Sequence, residues 1–230
     1  MLRLATLLAA FSLLFATIAT ASDRPVVVEL YTSQGCSSCP PADKLLHELA
    51  EMEDVIAQSL QVNKRDYLDW KDQFASPAFT KRQHNYARAL GETSVYTPQM
   101  IIGGTDHVVG SRPMKVSKLI QKHGDKPKQV DVVLQRNGSQ VVINAASAKP
   151  QDMVVYLVRY APSKTVDIRK GENRGSTLTY ANVVTDWQQV DEWNGAEPLR
   201  TFAQAPGLEP IVVIVQRKGY RDVLGAAQLR

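Results

Sequence analysis

The sequence predicts an α/β N-terminal domain followed by an all-β, sandwich-like C-terminal domain. Three observations carry this expectation. Between residues 25 and 123, apolar β-branched runs of strand length alternate with stretches of helical periodicity. From about residue 129 nearly every segment reads as a short strand bounded by turn residues, at sandwich-like spacing. Between the two, Gly124-Asp125-Lys126-Pro127-Lys128 is polar and combines a helix stopper with a proline, which marks a boundary.

The first 21 residues stand apart from the fold. Arg3 supplies a positive start, Leu7 to Ile18 is almost wholly apolar, and Ala19-Thr20-Ala21 has the small residues of a cleavage site. This segment is expected to be a signal peptide cleaved near Ala21, a retained anchor being the other reading; the apolar run is short for a membrane span. The expected organisation is a signal peptide over 1–21, an α/β domain over 22–124 and a β-sandwich over 129–230. No membrane span is expected once the signal is cleaved. The mature chain is then periplasmic or secreted, where a disulfide can persist.

Within the first part, Pro25 to Tyr31 is an apolar strand broken by Thr32-Ser33-Gln34-Gly35. Leu45, Leu46 and Leu49 form the apolar stripe of a helix over residues 42–52, with Lys44, Glu48 and Glu51 polar. Val55 to Val62 is a second strand. Ser76-Pro77 opens a helix, serine as N-cap and proline at the first helical position, and Gly91 stops it near Leu90. Residues 94–102 form a strand with Pro98 before its core, Gly103-Gly104-Thr105-Asp106 a turn, and His107-Val108-Val109 the returning strand. Pro113 to His123 is a closing helix.

In the second part, Arg136-Asn137-Gly138-Ser139 signals a hairpin between strands over 130–135 and 140–145. Further strands are expected over 153–160, 164–169, 177–185, 187–193, 199–204, 211–216 and 222–228, with a turn over 170–175. Glu172 and Asn173 in that turn read as turn formers, a functional role being the other reading. The stretch as a whole predicts a seven- or eight-stranded sandwich.

Composition narrows the function. The formal charge is only +4, and Lys115, Lys118 and Lys122 fall at helical spacing, the pattern of a solvated helix face. No aromatic residues interleave with them, so nucleic acid is not an expected partner. The sequence has no internal repeat, no Gly-rich nucleotide loop and no serine-nucleophile elbow. His47, His84, His107 and His123 lack metal-ligand spacing, His107 alone lying in a hairpin next to the Thr97-Pro98 strand.

What remains is Cys36 and Cys39, the only cysteines. Two thiols separated by two residues can close into a disulfide, bind a soft metal, or shuttle between dithiol and disulfide. They sit where a strand ends and a helix begins, where backbone N–H groups and the helix dipole favour a thiolate. A disulfide over so small a ring removes little entropy from the unfolded chain, which argues against a mere staple. Pro40 and Pro41 are expected to delay the regular helix to about Pro41 and leave both thiols in the entry turn.

The order strand, CxxC, helix, strand, helix, Thr-Pro-strand, strand, helix resembles the thioredoxin fold over about residues 25–123. More narrowly, Val28-Glu29-Leu30-Tyr31-Thr32-Ser33-Gln34-Gly35-Cys36-Ser37-Ser38-Cys39-Pro40-Pro41-Ala42-Asp43 resembles the signature of secreted bacterial proteins catalogued as domain of unknown function 1223. Trp70-Lys71-Asp72, Ser76-Pro77-Ala78-Phe79-Thr80, Val95-Tyr96-Thr97-Pro98-Gln99-Met100 and Gly171-Glu172-Asn173 resemble that family's motifs as well, while Asn63-Lys64-Arg65-Asp66 departs from the Asp-Tyr-Trp-Asp expected there.

The thioredoxin resemblance implies a set of roles. Cys36, the more exposed sulfur, attacks a substrate disulfide and Cys39 resolves the mixed disulfide. Thr97-Pro98 is a cis bond whose loop presents the Thr97 backbone to an extended substrate. Glu29, an acid inside an apolar strand, moves a proton for Cys39 if it is buried there; a salt-bridged glutamate is the other reading. The expected function is an exported thiol–disulfide oxidoreductase, working without a cofactor on cysteines of envelope proteins or a redox partner. The alternatives are a Cu(I) carrier at Cys36 and Cys39, and a binding module with a structural disulfide.

Overall fold

The computed structural model of the chain describes residues 25–63 and 70–230. The expected signal peptide and the departure at residues 64–66 lie outside the described residues.

The chain begins with β1 (Val26–Thr32), in which every residue is buried. Burial on both faces is the mark of a strand covered from two sides. Helix α1 (Pro40–Ala50) follows, with Pro40 and Pro41 inside its first turn and Cys39 as N-cap in helical geometry. The helix starts one residue before the expected Pro41 and both cysteines lie in the entry turn, as expected; a first-turn N–H has no intrahelical acceptor, so proline there sacrifices no bond. Strand β2 (Val55–Gln61) returns parallel to β1.

Helix α2 (Pro77–Leu90) starts and stops where its signals lie. The Ser76 hydroxyl accepts from the Ala78 N–H, and Gly91 takes a left-handed conformation at the C-cap. Strands β3 (Gln99–Ile102) and β4 (Asp106–Val109) form the anticipated hairpin, and helix α3 (Pro113–Gly124) completes this part. Beyond it lie β5 (Val130–Asn137), β6 (Gln140–Ser147), β7 (Met153–Asp167), β8 (Thr177–Trp193), β9 (Leu199–Gln204), β10 (Ile211–Arg217) and β11 (Val223–Leu229).

The pairing of these strands overturns the expected fold class. The chain is not a thioredoxin-like α/β domain followed by a β-sandwich. It is mostly β: one mixed eight-stranded sheet in the order β11-β10-β7-β8-β2-β1-β3-β4, and a three-stranded sheet β5-β6-β9. The physical reason lies in β7 and β8. Each of the two predicted strand pairs there is one long strand, 15 and 17 residues. The hairpin they form reaches β2, where β8 pairs in parallel at Ser59 and Val183 and the Asn182 amide donates to the Ala57 carbonyl at 2.9 Å. Strands of the second half thus extend the sheet of the first.

The two faces of β1 enter different cores. Val26, Val28 and Leu30 pack with Ala42, Leu46 and Leu49 of α1 and with Val116 and Ile120 of α3. Val27 and Tyr31 pack with Phe79 and Tyr86 of α2 and with Val158, Val184, Val212 and Ile214. The three-stranded sheet covers the remaining length of β7 and β10 through Val141, Ile143, Val155, Leu157 and Val213. The far end of the large sheet curls back on its beginning, and the Val223 N–H donates to the Gly103 carbonyl at 3.0 Å.

Candidate functional site

Cys36 and Cys39 are joined in a disulfide with their Cα atoms 5.4 Å apart. Two hydrogen bonds shape the turn that carries them: Cys36 N–H to the Ser33 carbonyl and Cys39 N–H to the Cys36 carbonyl, both 3.1 Å. Segments distant in sequence then hold this turn. The Asp72 carboxylate accepts from the Gln34 N–H at 2.8 Å and the Phe74 N–H at 2.9 Å. The Trp70 indole N–H donates to the Gln34 side-chain oxygen at 2.9 Å. From the loop between β7 and β8, the Asn173 amide donates to the carbonyls of Gln34 at 2.8 Å and Cys36 at 3.0 Å, and the Glu172 carboxylate accepts from the Ser37 N–H at 3.0 Å.

The Thr97–Pro98 bond is cis. Thr97 lies against the disulfide: its hydroxyl donates to Cys36 Sγ at 3.4 Å, and its carbonyl oxygen is 3.7 Å from the same sulfur. The Ser38 hydroxyl touches Cys36 Sγ at 3.3 Å and donates to the Thr97 carbonyl at 3.5 Å. Cys36, Cys39, Thr97 and Pro98 are therefore together. Cys36 is not the exposed sulfur that the resemblance implied. It is 1% exposed and Cys39 fully buried, while Ser37 and Ser38 between them face solvent.

Glu29 is buried but is taken up elsewhere. Its carboxylate accepts from Arg82 Nε at 2.8 Å, Arg82 Nη2 at 2.9 Å, the Tyr31 phenol at 2.8 Å and the Tyr86 phenol at 2.7 Å. The Arg82 guanidinium in turn lies 3.9 Å from the Trp187 ring centroid. Burial, reinforced by the Glu29 charge, holds the Tyr31 phenol well above its ordinary range, so it stays a donor. Alternation places Glu29 on the α2 face of β1, away from the α1 face that continues Cys39.

The acid on the Cys39 face is Asp43, in the first turn of α1 and 5% exposed. Among the described residues, neither of its carboxylate oxygens closes a hydrogen bond of normal geometry, and neither does the Thr32 hydroxyl beside it. Burial pushes the Asp43 carboxyl up to about 8, with Thr32 pulling the other way and the Asp72 charge adding to the rise. Burial, with Asp43 and Asp72 behind it, also raises the Tyr180 phenol, whose oxygen has no hydrogen bond either. Asp43 and Asp72 stood in the family-like motifs without a role assigned to them, and Tyr180 was not singled out by the sequence. The signal for Asp43 was its position, four residues after Cys39 and so on the same helical face.

His107 and His123 are engaged by neighbours within their own part of the chain. His107 contacts the Tyr96 hydroxyl at 3.0 Å and Glu92 at 3.2 Å, and His123 contacts Asp106 at 2.7 Å. Among the described residues, no group of three or more His, Cys, Asp or Glu side chains converges as a metal site. In the disulfide state the two sulfurs are bonded to each other, so a Cu(I) site there requires reduction first. Among the described residues no helix is long and apolar enough to cross a membrane.

Fold and site together define a mostly β protein with a small-ring disulfide at a strand–helix junction, gripped by three remote segments. The family model described as a protein of unknown function, DUF1223, matches residues 27–216, and the chain belongs to that family. It is similar to the crystal structure of a protein from Agrobacterium tumefaciens, at 33% identity and a TM-score of 0.77, over 89% of this chain and 93% of that one. No match was found among curated proteins.

Proposed function

We propose that the protein is a thiol–disulfide oxidoreductase that exchanges electrons with cysteine thiols through Cys36 and Cys39, outside the reducing cytosol. The observation that carries this reading is the pair of hydroxyls on one sulfur: those of Thr97 and Ser38 both meet Cys36 Sγ. A disulfide that only pins a turn has no need of hydroxyl donors, whereas a sulfur that becomes a thiolate is stabilised by them. The ring is also too small for the bond to constrain the unfolded chain much.

Exchange runs through Cys36. A client or reductant thiolate forms a bond to Cys36 Sγ, the Cys36–Cys39 bond breaks, and its electron pair goes to Cys39. Ser37 and Ser38 are the exposed cover over that sulfur, so access depends on movement of this turn. The apolar N-terminal segment supports export, and with it clients among envelope proteins.

A second reading, a structural disulfide, is favoured by the burial of both sulfurs. A glutathione redox series on the folded protein, quenched with acid and read by thiol mass-tagging, separates the two. A redox-active pair converts reversibly between disulfide and dithiol while the fold persists. A bond that opens only when the protein unfolds overturns the proposal.

A further inference from the structure

We propose that Asp43 is the group that gives a proton to Cys39 when the disulfide opens and takes it back when the bond closes. The proposal deepens the redox reading above and rests on it.

Three observations converge on Asp43. It lies one helical turn beyond Cys39 on the same helix, at the i, i+4 spacing that brings side chains to about 5–6 Å between Cβ atoms. Its carboxyl is buried and, among the described residues, has only the Thr32 hydroxyl beside it, too poorly placed to close a hydrogen bond of normal geometry. A carboxylate in that state would be an unpaired buried charge, which proteins avoid by keeping the group neutral. Among the described residues, the groups around it offer no cation. Thr32 on β1 and Tyr180 on β8 are neutral, and Asp72 is committed to the N–H groups of Gln34 and Phe74. His47, one turn further along α1, is turned to the Thr179 carbonyl at 3.0 Å.

A neutral carboxyl beside a buried disulfide is a proton source. When an incoming thiolate attacks Cys36 Sγ, the departing electron pair would leave an anionic sulfur at Cys39, inside the core. Transfer of the Asp43 proton to that sulfur moves the negative charge to the carboxylate, and Cys39 is left as a neutral thiol. In the reverse direction the carboxylate removes the Cys39 proton, the thiolate attacks Cys36 Sγ, and the client leaves as a thiolate. Atoms and electrons balance with only the thiol partner as co-reactant. With a carboxyl near 8, both protonation states are populated around neutral pH, as two-way traffic needs. Glu29 cannot substitute, since four hydrogen bonds hold its carboxylate on the other face of β1.

The test is the rate at which dithiothreitol opens the disulfide of the folded chain, corrected at each pH for the thiolate fraction of the reagent. The wild type should lose rate as pH rises through about 8. Asp43→Asn should open about tenfold more slowly at neutral pH, a modest general-acid effect because thiolates leave readily, and should show no inflection. Asp43→Glu should restore the inflection. An Asp43→Asn profile that keeps the wild-type inflection overturns the proposal and leaves the redox reading standing. A wild-type disulfide that resists reagent until unfolding overturns both. Should the asparagine variant not fold, infrared spectra of the wild type decide. A protonated carboxyl band that titrates near pH 8, and moves in Asp43→Glu, supports the proposal; absence of such a band at pH 6 overturns it.

Discussion

Two carboxylates are buried near the start of this chain, on opposite faces of the same sheet, and their surroundings differ in kind. Glu29 has a guanidinium bonded through two nitrogens, two phenols, and aromatic rings behind the cation. Among the described residues Asp43 has no cation beside it, and its one polar neighbour on β1, the Thr32 hydroxyl, closes no hydrogen bond of normal geometry. The difference separates two uses of a buried acid. A charge compensated on every side welds elements together, here β1, α2 and, through Gln216 on Arg82 Nη2 at 3.2 Å, β10. An uncompensated acid does little for stability, and its hold on a proton responds to whatever changes beside it.

The largest expected effect comes from breaking the compensated side. Arg82→Met should cost about 3–5 kcal/mol in urea unfolding at pH 7 with the disulfide intact, because it leaves a buried carboxylate without its cation. Adding Glu29→Gln should recover much of that loss, since the orphaned charge then disappears. A cost below about 1 kcal/mol would break the comparison, since a compensated pair must be costly to split.

The uncompensated side makes the opposite prediction. The Asp43 carboxyl titrates about 4 in the unfolded chain and about 8 in the fold. Between those values the native state binds the extra proton, so its contribution to stability is complete below about pH 4 and is lost as pH rises through about 8. Asp43→Asn removes the titration. It should match the wild type near pH 4 and exceed it by on the order of 5 kcal/mol at pH 9, read as a widening gap in urea midpoints. A gap that is flat with pH would place Asp43 in contact with water and erase the contrast with Glu29.

Much of this architecture can be read locally, and the parts that cannot share one cause. The cysteine pair at the strand–helix junction, the Ser76-Pro77 start and Gly91 stop of α2, and the Asn137-Gly138 hairpin all follow from residues within a few positions of each other. The join of β8 to β2 does not, because its partners, Ser59 and Val183, are more than a hundred positions apart and no local pattern encodes parallel pairing. One clue was present. Ile211 to Gln216 is buried throughout, whereas β5 alternates buried and open positions. An unbroken apolar run belongs to a strand covered on both faces, which a simple two-sheet sandwich does not supply. The site divides in the same way. The sulfurs and Thr97 were visible as motifs, while the commitment of Glu29 depended on Arg82, 53 residues later.

The smaller effects sharpen the comparison around the turn itself. Asn173→Ala removes both amide hydrogen bonds to the Gln34 and Cys36 carbonyls and should cost about 1–2 kcal/mol, because the two acceptors lose their buried partner. It should also speed opening of the disulfide by glutathione, as the turn is freed to move. Glu172→Gln is the finest probe. The Glu172 carboxylate sits on the Ser37 N–H, one residue from the attacking sulfur, where its charge opposes a Cys36 thiolate. Removing that charge on an exposed group should change stability by less than about 0.5 kcal/mol. In the reduced protein it should lower the pH midpoint of Cys36 alkylation by iodoacetamide by about half a unit or less, the scale of a screened surface charge. An upward shift would mean that Glu172 aids the thiolate by ordering the Ser37 N–H, and the loop between β7 and β8 would then belong with the groups that stabilise charge at the sulfur.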